Sequence, residues 1–75
     1  MALDRELSNE VQFVTFIIIE FAKTYKMGVR DAYIYLKKYG GLDFIWEHWW
    51  GLHTENPYYA VHYIFKVCKN NGGYS

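Results

Sequence analysis

The sequence predicts an all-α fold, a single small bundle of about four helices, and three observations carry that expectation. Glycine, asparagine and the lone proline divide the 75 residues into segments of helical length; no segment sustains a period of two; and apolar residues recur at helical spacing within each segment. Residues 1–75 therefore read as one helical domain, with 1–8 and 73–75 expected to fray. A chain of this size buries only about 60% of the surface its unfolded form exposes. Five Phe, eight Tyr and three Trp within a 52% hydrophobic composition fit such a domain, since large side chains fill a thin core where number cannot.

Ser8 or Asn9 is placed to cap the first helix, Glu10 suits its first turn, and Lys23 and Lys26 lie near its end before Gly28, predicting a helix over about residues 9–26. Val11, Val14, Ile18, Ala22 and Tyr25 form one seam, yet Phe13, Phe16, Ile17 and Phe21 populate other sides of the same cylinder. Such a helix is either central to its domain or covered on a second side by another chain. The second helix is expected from Val29 to Tyr39, with Val29, Ala32, Tyr33 and Leu36 inward and the glycines at 40–41 ending it. In the third, Leu42, Ile45, Trp46, Trp49 and Leu52 follow the inward stripe, while Trp50, about 100° from Trp49, widens the aromatic face outward. Asn56 followed by Pro57 is a strong start signal for the fourth helix, whose inward stripe is Val61, Ile64, Phe65 and Cys68 and which ends near residues 70–73.

Eight basic and eight acidic side chains cancel, so no overall field draws the molecule towards nucleic acid or an anionic membrane. Sign changes along the chain all the same. Residues 21–40 carry Lys23, Lys26, Arg30, Lys37 and Lys38 against Asp31, and residues 41–60 carry only acids. The longest apolar run, Phe13 to Ile19, is far shorter than the ~20 residues that span a bilayer. The acidic leader lacks the pattern of a signal peptide. One cysteine, Cys68, forms no intrachain disulfide, and a reduced cytosol is the expected compartment.

All three tryptophans and two of the three histidines fall in "DFIWEHWWGLHTENP", residues 43–57. His48, His53, His62 and Cys68, with Glu47 and Glu55, are the metal-ligand types present, but His48 and His53 are five apart and share no helical face. No paired-histidine, CxxC or phosphate-loop motif occurs, and Cys68 on an apolar stripe reads as a small hydrophobe. No metal, cofactor or catalytic residue is expected, and the chain reads as a non-enzyme. Base stacking requires a basic groove. The aromatic segment has acids around it, which points instead to protein contact, where Trp and Tyr act as anchors. The candidate partner-binding residues are Phe13, Ile17, Phe21, Trp50, Tyr58 and Tyr59, with Tyr63 beside them and the basic face of the second helix as a further docking surface.

The stretches "VQFVTFIIIEFA" from Val11, "YLKKYGGLDFIWEH" from Tyr35 and "LHT" at 52–54 are similar to those of a family of short bacterial proteins catalogued as a domain of unknown function. Its pattern is a V-x-F-x-x-F-x-I-E helix, a K-Y-G-x-L-D-x-I segment and an L-H-T turn. The resemblance covers most of residues 10–72 and implies a small helical fold with no catalytic residue. Members are often encoded beside proteins that look like ADP-ribosyltransferase-type toxins, which implies an antitoxin or immunity-like role. Two departures stand out: Trp49 and Trp50 replace a more polar pair, and Gly28 stands where a capping serine is common. Leu52, His53 and Thr54 match the motif and read as a structural turn, with His53 bonded to backbone and Thr54 assisting the cap of the fourth helix.

Three functions remain open from the sequence. The first is a protein-binding module that neutralises a toxin. The second is a structural homodimer that buries the surplus apolar face of helix one. The third is a small-molecule or metal-binding protein centred on His48, His53 and the tryptophans.

Overall fold

In the computed structural model, backbone is described for residues 2–73 and side chains for residues 9–73. Four helices follow in order: α1 (Ala2–Thr24), α2 (Val29–Lys38), α3 (Gly41–Leu52) and α4 (Pro57–Asn70). The described residues contain no strand, as the missing period of two requires. None of the helices is long and apolar enough to cross a membrane among these residues. α1 packs on all three other helices, and α3 also packs on α2 and α4.

The position of α1 explains its all-round apolarity. Ile17 and Phe21 are fully buried, and Val14, Ile18 and Ala22 nearly so, because different helices cover different sides of the cylinder. Ile17 and Phe21 are therefore core residues, which corrects their expected place on a partner surface. Phe13 is half-buried. Val11 and Phe16 are what remains exposed of the surplus. Across the core, Phe21 stacks on Tyr35 at 5.9 Å and Tyr25 stacks on Phe65 at 4.5 Å, so aromatic rings knit α1, α2 and α4 together.

The start of α1 lies at Ala2, well before the expected cap at Ser8 or Asn9: the chain simply continues helical through both. The expected fraying at 1–8 and 73–75 falls in part on Met1, Tyr74, Ser75 and the side chains of residues 2–8, which lie outside the described residues. The C-terminal stop also differs. Lys26, with φ 55°, takes the left-handed position; Met27 N–H donates to Ala22 O at 2.8 Å and Lys26 N–H to Lys23 O at 3.4 Å, a Schellman ending built on lysine. Gly28, read as the stop, is extended and begins α2.

In α2 the buried residues are Ala32, Tyr35 and Leu36, while Val29 and Tyr33 are exposed. The inward stripe is rotated from the expected one because Tyr35 is recruited into the aromatic cluster and the short helix turns to seat it. Gly41, Ile45 and Leu52 form the buried face of α3, whereas Trp46 is 38% exposed and Trp49 half-buried. Both tryptophans were expected inward. Close seating of Gly41 and Ile45 against α4 pushes the larger rings to the flank, and a non-helical residue within α3, His48 (φ −116°), breaks the regular phase behind them. α4 follows its expected stripe: Val61, Ile64 and Cys68 are buried, and Phe65 packs against them. Asn56 Oδ1 accepts from Tyr58 N–H at 2.9 Å, and Pro57 occupies the first turn.

At its other end α4 closes in a second Schellman motif. Gly73 N–H donates to Cys68 O at 2.8 Å and Gly72, with φ 96°, donates to Lys69 O at 3.1 Å. Gly73, expected to fray, is so closely seated that a Cβ there would collide with the Tyr35 hydroxyl.

Candidate protein-contact surface

The last turns of α3 carry the aromatic site. The Trp50 and His53 rings lie 4.9 Å apart, Trp49 and His53 5.4 Å, and Trp49 meets Trp50 nearly at right angles. His53 Nδ1–H donates to the Trp50 carbonyl, and Thr54 Oγ1–H donates to Gly51 O at 2.8 Å. With Leu52 buried beneath them, these two bonds finish α3 by satisfying carbonyls that its last turn leaves open. Thr54 was expected to assist the cap of α4; its hydroxyl instead serves the end of α3, and the side-chain cap of α4 comes from Asn56.

The same bonds hold the tryptophans in place. Trp50 is 68% exposed, the most open of the large apolar side chains among the described residues. Beside it, Phe13 meets the His53 ring edge-on at 6.3 Å, and Phe13, Phe16, Trp49, Trp50 and His53, with Asn9 and Gln12, line an open recess of about 410 Å³. Helix α1 therefore does contribute to this surface, through Phe13 and Phe16 rather than Ile17 and Phe21.

Of the tyrosines expected beside Trp50, only Tyr63 shares a recess with it, about 450 Å³ and lined also by Phe44, Glu47, His48 and Glu55. Tyr58 and Tyr59 are exposed but sit elsewhere: Tyr58 packs on His62 at 4.5 Å, and His62 in turn lies edge-on to Tyr25. Tyr58 and Tyr63 are five positions apart on α4 and so lie on different faces of it. The candidate set is two patches.

Charge divides the surface in the same way. Glu47 and Glu55 flank Trp50, whereas Lys26 and Lys38 line a separate recess of about 460 Å³ with Asp31, Ile34 and Tyr39. His48 packs on Phe44 at 4.7 Å and His53 is tied to α3, so the two histidines face different neighbours. Among the described residues no three His, Cys, Asp or Glu side chains gather at one point.

Burial pushes the Cys68 thiol up, with the Gly41 amide acting in the opposite sense. Burial likewise raises Tyr25, helped by Tyr58 and Tyr35. Neither group is poised to ionise at neutral pH.

A third feature escaped the sequence reading. Between α1, α2 and α3 runs an apolar groove of about 460 Å³, walled by Val29 and Tyr33 on one side and Leu42 and Trp46 on the other. Its signal was present in the crowded apolar positions of these helices, but assigning Val29, Tyr33 and Trp46 to the core concealed it.

No curated protein matches the chain, and no solved structure does. One family does, over residues 12–71, a span that takes in the α1 core, all three inter-helix turns and the aromatic recess apart from Asn9. The chain belongs to this family, the proteins of unknown function DUF3791.

Proposed function

We propose that the chain is a non-enzymatic protein-binding module, and that its role is antitoxin or immunity-like, with an ADP-ribosyltransferase-like toxin as partner in a bacterial cytoplasm. The observation that supports this reading is Trp50: a large aromatic ring, mostly exposed, on a turn fixed by His53 and Thr54 and bordered by Trp49, Phe13 and Phe16. Rigid exposed aromatics beside a recess are what hot spots of protein interfaces are made of. The acids Glu47 and Glu55 would orient the approach of a basic partner surface, such as the cleft of a toxin that binds an anionic dinucleotide. A buried thiol shifted away from ionisation supports the non-enzymatic part.

The test is co-expression with an ADP-ribosyltransferase-like toxin. A stoichiometric complex is expected, weakened about 30-fold or more by Trp50→Ala, as for an interface hot spot, with helicity and Tm unchanged. A variant that binds as tightly as the parent sinks the role given to Trp50. Co-expression without any complex sinks the toxin.

A second reading, a self-associating structural protein, draws on the α1–α2–α3 groove, whose exposed Val29, Tyr33 and Trp46 form an apolar face distinct from the Trp50 recess.

A further inference from the structure

The walls of the groove carry opposite charges. On α2 Arg30 lines the groove with Val29 and Tyr33, and Lys37 follows Tyr33 one helical turn later; on α3 Asp43 and Glu47 are the next residues after Leu42 and Trp46, Glu47 also lining the Trp50 recess. All four charged side chains are exposed, and among the described residues the ion pair present is Glu20 with Lys23, so none of the four is paired with another described residue. Only Tyr39 and Gly40 separate the two helices. Lys37 and Asp43 therefore lie near the hinge, and Arg30 and Glu47 lie away from it.

We infer that this groove is the interface of a two-fold homodimer, with the symmetry axis running along the groove. The inference rests on the self-association reading and not on toxin binding. Two copies meeting face to face have two choices of axis in the interface plane. An axis across the groove sets α2 against α2 and α3 against α3, bringing like charges together. An axis along it sets the basic wall of each copy against the acidic wall of the other, at matching distances from the hinge. Lys37 then faces Asp43 and Arg30 faces Glu47, each pair occurring twice as the symmetry demands. The apolar rows supply the burial, and the charges select the arrangement.

The experiment is sedimentation of the full chain and of two charge reversals at exposed sites, Arg30→Glu and Glu47→Arg, each checked for unchanged helicity. The parent chain is expected to dimerise. Either variant alone places like charges opposite each other twice, which is expected to weaken the dimer by roughly 10- to 100-fold. Mixed in equal amounts, the two variants restore both pairs and are expected to recover a one-to-one heterodimer. A parent chain that stays monomeric at high micromolar concentration overturns the inference and the self-association reading together. A dimer that ignores both reversals, or single variants that fail to recover on mixing, overturns the groove geometry while leaving self-association standing.

Discussion

Gly41 and Cys68 touch where α3 begins against α4: a Cβ on Gly41 would lie 2.6 Å from the Cys68 sulphur and 2.7 Å from a Leu36 methyl. Both neighbours are fully buried and have nowhere to retreat. Gly41→Ala is expected to destabilise the protein by about 1–3 kcal/mol, the range for overpacking a core. A urea midpoint equal to that of the parent would refute it.

The same contact sets a pH dependence. Burial holds the folded Cys68 pKa above its unfolded value, so its contribution is fully present below the unfolded pKa, about 8.5, and is lost as pH rises through the folded one. Tyr25 acts in the same direction at higher pH. Stability should be flat across neutral pH and fall above about pH 9. Cys68→Ala is expected to flatten the early part of that fall, measured as urea midpoints at pH 7 and pH 10.

Lys26 stands in the left-handed region, where a side chain costs about 1–2 kcal/mol that glycine avoids. Lys26→Gly loses some of this to the greater freedom of the unfolded chain. A net gain of about 0.5–1 kcal/mol is expected, a rise of several degrees in Tm for a domain of this size. A lower Tm would show that the lysine contributes something its backbone geometry does not reveal.

Asn71 Nδ2 donates to the Tyr39 carbonyl at 2.9 Å, joining residues 32 apart in sequence. Asn71→Ala is expected to lose about 0.5–1.5 kcal/mol. Amide exchange should quicken around Gly40 and Gly41 more than in the middle of α1. Uniform acceleration would instead indicate a global effect.

The fold class and the four helices were legible because punctuation and period are local signals, and Asn56–Pro57 marked the start of α4 to the residue. Facing was harder. Ala32, Tyr35 and Leu36 win the core over Val29 and Tyr33, and Ile45 wins over Trp46, because neighbouring helices and not the wheel choose which of two apolar stripes is covered. Ile17 and Phe21 looked spare only while α1 was imagined with one covered side. At the site, Trp50 and the L-H-T turn were visible from sequence, whereas Tyr58 parted from Trp50 through helix placement that no local pattern encodes. The left-handed Lys26 gave no sequence signal at all.

The seat of α4, formed by Gly41, Leu36 and Ile45, also has a history in time. During synthesis these residues emerge before Ile64 and Cys68 exist to cover them, so α1 to α3 must wait with an open apolar face. The bond from Asn71 to Tyr39 latches that face only after α4 has been made. A nascent chain halted in the loop at residues 53–56 would thus be sticky, a substrate for chaperones, and completion of the last helix is the step that turns it into a protein able to choose its partners.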